Sequence, residues 1–203
     1  YWRDWSSDVC SSDLQELRHH HIKTQEMPRS GSPVTGRVPM LFNEDLVSYR
    51  VKPELAQDEL YRNAAADELI FINQGSGYLD TTYGKLPYRR GDYIVIPRTT
   101  NYQFQSDDIT LEDHMVLECF APVRIPKQYL NEDGQMLLGS PYYERDFHSP
   151  TEIATRDEHQ ETSILVKDHS RLTRVTMKHN PLDVVGWMVF SIHTLSMLGT
   201  SSH

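Results

Sequence analysis

Two stretches of this chain carry residue types that could build a metal centre. "ADELIFINQGSG" (66–77) places Glu68 ahead of a glycine-rich turn, and "GDYIVIPRTTNY" (91–102) spaces Gly91, Pro97 and Tyr102 along a second extended segment. In a small β-barrel, paired hairpins of this outline bring imidazole and carboxylate ligands together. That donor set suits Fe(II) or Mn(II), with positions left open for substrate or oxygen. The histidines such chemistry needs are missing. The residues ahead of Glu68 read "YRNAAAD", no histidine occurs between His21 and His114, and Tyr102 stands where the second hairpin would offer its imidazole. A lone carboxylate holds no divalent ion, so Glu68 is expected to be a hydrogen-bonded group at a barrel mouth or the partner of Arg98.

The remaining reactive side chains form no set. In "RHHHIKT" (18–24) consecutive histidines on an extended segment point to alternating faces and cannot converge on one ion. His148, His159 and His169 lie in polar connections and read as surface residues, and Cys119 within "VLECF" reads as a buried small hydrophobe. No G-x-S-x-G or comparable nucleophile signature occurs. No residue is therefore nominated as catalytic, cofactor-binding or metal-ligating.

The elements that would have to position these residues are strands. "LVSYRV" (46–51), "ELIFIN" (68–73), "GYLDTTYG" (77–84), "DYIVIP" (92–97), "HMVLECF" (114–120), "TSILVK" (162–167) and "RLTRVTM" (171–177) are short, rich in β-branched and aromatic residues, and bounded by turn formers. Long helical periodicity is absent, so the fold class is all-β, a sandwich or jelly roll. Gly75-Ser76-Gly77 reads as a tight hairpin, and a short helix is expected after Ser149 or Pro150.

Bulk properties exclude several classes. With 203 residues and a formal charge of −9, the chain lacks the basic face a nucleic-acid binder needs. Cys10 and Cys119 make no disulfide framework, and the most apolar run, "VVGWMVFSIHTLSML", is interrupted by His193 and serines, so no membrane partner is expected. Both ends differ from the middle. "YWRDWSSDVCSSDL" (1–14) has no periodicity, and Cys10-Ser11-Ser12-Asp13 back-translates to a string like the end of a sequencing adapter; it is expected to be an artefact outside the fold. The segment 188–203, "MVFSIHTLSMLGTSSH", contains no Asp, Glu, Lys or Arg.

Taken together, "RHHHIKT", "PVTGRVPMLFN", "YRNAAADELIFINQGSGYLDTTYGKLPYRRGDYIVIPRTTNY", "YLNEDGQMLLGSPYYERDF" and "NPLDVVGW" closely resemble the N-terminal half of homogentisate 1,2-dioxygenase in its shorter bacterial form, from about Leu17 to Trp187. The resemblance implies a cupin-like jelly roll over 15–187, the first barrel of a two-barrel enzyme. The family uses Fe(II) and O2 to cleave homogentisate to maleylacetoacetate in tyrosine and phenylalanine breakdown, as a cytoplasmic homo-oligomer. Its iron ligands, two histidines and a glutamate, follow the "DVVGW" motif and map onto no residue here, so no cofactor is expected on this chain. After Gly186-Trp187 the family continues differently, and restoring one base after the Trp187 codon turns the tail into a family-like reading. A frameshift is therefore expected at that point. The alternatives are a stand-alone metal-free cupin that binds a small molecule and, more weakly, another cupin enzyme such as an isomerase, against which the missing histidines count.

Overall fold

A computed structural model describes residues 21–150, 152, 161–183 and 197–199. Thirteen strands build it: β1 (Arg37–Phe42), β2 (Leu46–Val51), β3 (Leu60–Asn63), β4 (Asp67–Gln74), β5 (Ser76–Thr81), β6 (Gly84–Arg89), β7 (Asp92–Ile96), β8 (Tyr102–Ser106), β9 (Asp113–Cys119), β10 (Phe147–His148), β11 (Thr162–Asp168), β12 (Arg171–Met177) and β13 (Met197–Gly199). Among the described residues the helical turns are all short 3-10 segments, and no helix is long and apolar enough to cross a membrane.

The strands form two sheets. One runs β1-β2-β9-β4-β7-β13-β10 and the other β12-β11-β3-β8-β5-β6. All pairings are antiparallel except β3 with β11. The period-two alternation of the sequence is what seals the sheets together. On β4, β7 and β9 the inward positions are Glu68, Ile70 and Ile72, then Ile94 and Ile96, then His114, Val116 and Glu118, while Leu69, Phe71, Tyr93 and Met115 alternate outward. Leu79, Leu86, Tyr88, Tyr102 and Phe104 of the facing sheet close over them, and these side chains share one core. Full burial of each aliphatic residue contributes about 1.5–3 kcal/mol.

Several elements differ from the sequence reading. Gly75 does not turn a hairpin: β4 and β5 belong to different sheets, and Gly75 is the corner at which the chain crosses between them. Its φ of +108° requires glycine, and a Cβ there would come within 2.3 Å of a Glu112 carboxylate oxygen. The segment 77–84 is not one strand, because Thr82 and Tyr83 form the turn between β5 and β6. Pro87 is tolerated in β6 because that strand lies at the sheet edge. β1, β3, β8 and β10 were not expected; β1 carries Pro39 and a bulge, and β3 is only four residues long, so neither has a clear alternating pattern. The helix expected after Ser149 or Pro150 and the segment 1–14 lie outside the described residues, as does most of 188–203. Of that tail, Met197–Gly199 pairs through its backbone with β7 and β10.

Candidate functional site

The two motif stretches do converge, and they converge on a closed network of charges. Glu68 on β4 is fully buried, yet Arg98 is not its partner: Arg98 Nε donates to Asp67 Oδ1 at 3.0 Å near the surface. The partner of Glu68 is Arg37, carried on β1. Arg37 Nη1 donates to Glu68 Oε1 at 2.6 Å and Nη2 to Glu68 Oε2 at 3.4 Å. Tyr102, which stands at the expected histidine position, donates its hydroxyl to Glu68 Oε2 and accepts from Arg37 Nη2 at 2.8 Å. Asn63 Nδ2 and the Tyr61 hydroxyl complete the ring around Glu68 Oε1, at 3.1 and 3.3 Å.

A second carboxylate lies directly beside the first. The antiparallel register of β4 and β9 sets Glu68 opposite Glu118, both on the inner face. Like charges facing one another across strands repel, and burial strengthens the repulsion by lowering the local dielectric. Cations from two other strands offset it. Arg37 Nη1 lies 3.8 Å from Glu118 Oε1, and Lys167 Nζ on β11 donates to Glu118 Oε2 at 2.6 Å. Asn63 Nδ2 bridges the two acids, reaching Glu118 Oε1 at 2.9 Å, while its own carbonyl accepts from the Ala65 and Ala66 N–H groups. The Tyr49 hydroxyl donates to Glu118 Oε2 at 2.8 Å, and Lys167 sits over the Tyr49 ring. Two buried acids are thus matched by two cations.

Burial and pairing act in opposite directions on these groups. Burial alone would raise the Glu68 carboxyl, but the Arg37 charge and the hydrogen bonds from Arg37, Tyr102 and Asn63 hold it below the ordinary glutamate value. Burial works against the Arg37 charge, and the field of Glu68 with the hydroxyls of Tyr102 and Tyr61 overcomes it. Burial pushes the Tyr61, Tyr102 and Tyr49 hydroxyls far above the usual tyrosine value, with the neighbouring carboxylates adding to the effect.

This arrangement does not fit the iron that the sequence resemblance implies. Both oxygens of Glu68 are engaged by Arg37, Tyr102, Asn63 and Tyr61, a guanidinium takes the cation position, and among the described residues no imidazole hydrogen-bonds to either acid. Among the described residues no group of three or more His, Cys, Asp or Glu is placed to hold a metal ion. His114 is buried on the same face of β9, with Val116 between it and Glu118, but its Nε2 pairs with Glu112, whose other oxygen accepts from the Tyr88 hydroxyl at 2.9 Å. His21 and His148 are exposed, and exposed His169 pairs with Asp168 and stacks on Phe120 at 5.6 Å. His159 lies outside the described residues. Cys119 is half-buried, not buried, because it alternates outward from Glu118; burial and the nearby Asp67 and Glu118 charges raise its thiol pKa.

Sequence reasoning missed Arg37, Glu118 and Lys167. Glu118 had a readable signal: it is an acid in an apolar strand, in phase with the inward positions Val116 and His114. Arg37 had none, since it begins a strand that the pattern did not reveal.

An antiparallel jelly roll of two facing sheets, all-β and carrying the paired motif segments on β4 and β7–β8, is a cupin fold. Residues 38–191 match the family described as homogentisate 1,2-dioxygenase N-terminal. The chain belongs to that family. It is 33% identical over 190 residues to a protein of Saccharolobus solfataricus that carries the provisional name of a dioxygenase. That alignment takes in 91% of this chain and 47% of the relative, so the chain spans about half the length of the curated relative it matches. Solved structures with similar folds include a cupin-2 domain protein from Shewanella frigidimarina, at 16% identity and a TM-score of 0.37, covering 42% of this chain and 80% of that one. Another is Pac13 from Streptomyces, described as a nucleoside dehydratase, at 15% identity and a TM-score of 0.40, covering 62% of this chain and all of that one.

Proposed function

We propose that this chain is the N-terminal half of a homogentisate 1,2-dioxygenase, the Fe(II)- and O2-dependent enzyme that opens the homogentisate ring to maleylacetoacetate. The observation that carries the reading is the family match over residues 38–191. In this reading the barrel is a scaffold and assembly surface of a cytoplasmic homo-oligomer. Iron, substrate and O2 are handled by a second half that follows the Gly186-Trp187 motif, and the chain alone is inactive. The closed Arg37–Glu68–Tyr102 network supports that division, because the acid at the motif position is already committed to protein partners.

Oxygen uptake by the purified chain, supplied with Fe(II) and homogentisate, is expected not to exceed that of Fe(II) and homogentisate alone. Homogentisate-dependent uptake by the protein would overturn the placement of the active site in the other half. Sequencing the gene across the Trp187 codon is expected to reveal a reading frame that runs on into a histidine-bearing second half. The alternative, a stand-alone binding module, draws on an open pocket of about 570 Å3 lined by Tyr88, Arg89, Asp92, Phe147 and His148. It requires a gene that ends at His203 and saturable binding of a small molecule in that pocket.

A further inference from the structure

We infer that Glu68 and Glu118 form a divalent-cation site held shut by the protein's own Arg37, so that removing this one guanidinium makes the barrel bind metal. The inference is independent of the substrate of the complete enzyme.

Glu68 and Glu118 are direct cross-strand neighbours on the inner face, 0% and 2% exposed, an arrangement that repels unless a cation stands between them. Arg37 Nη1 occupies that place, 2.6 Å from one carboxylate oxygen and 3.8 Å from the other. A small divalent ion bridging two carboxylates would need the same position. Around it the Tyr102 hydroxyl contacts both Arg37 and Glu68, the Tyr61 hydroxyl reaches Glu68, and the Asn63 amide nitrogen and Lys167 ammonium donate to the acids without being able to ligate a cation. The groups left to ligate a cation there, two carboxylates and two hydroxyls, are oxygens, which select hard ions such as Mn(II) or Mg(II).

Arg37 also enters from outside the acid cluster. It is the first residue of β1, an edge strand whose next positions are half-exposed or exposed, whereas the acids belong to the centre of the same sheet. Truncating it leaves a space the size of a guanidinium beside two acids. Lys167 then balances only Glu118, and Glu68 is left without a counterion. A buried, unpaired carboxylate must either take up a proton or find another cation.

The test is Mn(II) titration of the 203-residue chain, followed by the loss of the free-ion paramagnetic resonance signal. The wild type is expected to take up no ion in the barrel, and Arg37→Lys, which keeps a cation, is expected to behave the same way. Arg37→Ala is expected to bind one further equivalent. That equivalent should weaken by about tenfold or more when Glu68→Gln or Glu118→Gln is added, which separates it from ions caught by the histidines at 19–21. Adding Tyr102→His to Arg37→Ala supplies an imidazole at the motif position and is expected to tighten binding. Folded Arg37→Ala without the extra equivalent, or with binding indifferent to both acids, would overturn the inference. If Arg37→Ala is unfolded without metal, Mn(II) is expected to restore its folded circular dichroism. The neutral pair Arg37→Gln with Glu68→Gln should fold without any ion. Failure of Mn(II) to restore the fold while the neutral pair folds counts equally against it.

Discussion

At the scale of single residues, the buried acids and bases set how the fold responds to substitution and pH. Removing one partner of a buried ion pair leaves an uncompensated charge, so Arg37→Ala in metal-free buffer is expected to cost about 3–5 kcal/mol. A denaturant titration measures this, and Arg37→Gln combined with Glu68→Gln should recover most of the loss. The Glu68 carboxyl is held below its ordinary value in the folded chain. Its contribution is therefore complete above the unfolded-state value of about 4.3 and is lost as pH falls through the lower folded value. Melting temperatures followed down the acid range should fall less steeply for Glu68→Gln than for the wild type. Tyr61, Tyr102 and Tyr88 behave in the opposite sense. Their hydroxyls are raised far above the usual value, so their contribution is complete below about pH 10 and is lost as pH rises beyond it. Tyrosinate absorbance from these residues is expected only together with unfolding, in step with loss of the folded dichroism; ionisation ahead of unfolding would contradict their burial.

At the scale of elements, the corners between sheets are the most demanding positions. Gly75 and Gly91 both have positive φ, +108° and +92°, but a Cβ at Gly75 meets the Glu112 carboxylate while one at Gly91 meets nothing within 4 Å. Gly91→Ala is expected to cost about 1–2 kcal/mol for backbone strain alone. Gly75→Ala adds overlap with a buried acid that is itself tied to His114 and Tyr88, and is expected to cost about 2–5 kcal/mol in the same titration. Strand identity was legible where β-branched and aromatic residues cluster between turn formers: 46–51, 92–96, 162–168 and 171–177 emerge within a residue or so of their sequence bounds. It was illegible in β1, where Pro39 and a bulge break the period, and in β8, whose "YQFQS" looks polar although Tyr102 and Phe104 are core residues. The glycines at 75 and 77 marked a change of direction correctly. A hairpin and a crossing between sheets need the same positive φ, so the residue type does not tell them apart.

At the scale of the whole molecule, the chain is half the length of its curated relative and leaves apolar surface uncovered. Leu41 and Phe42, at the end of edge strand β1, are 69% and 81% exposed, and Leu138 is 90% exposed. Unpaired strand edges with exposed apolar side chains promote association. The isolated chain is expected to self-associate with rising concentration in sedimentation velocity, and Leu41→Lys with Phe42→Lys should shift it toward the monomer. The sequence alone determined the class of fold, through short β-branched and aromatic runs bounded by turn formers, and its family, through long motifs. It also determined that no histidine stands at the motif positions around Glu68, because the residue type at a given position is read directly from the chain. Only the tertiary structure decided what Glu68 does instead. Its neighbour Glu118 is set by strand register and its partner Arg37 by a distant edge strand, and contacts between elements far apart in the chain leave no spacing for a sequence pattern to carry.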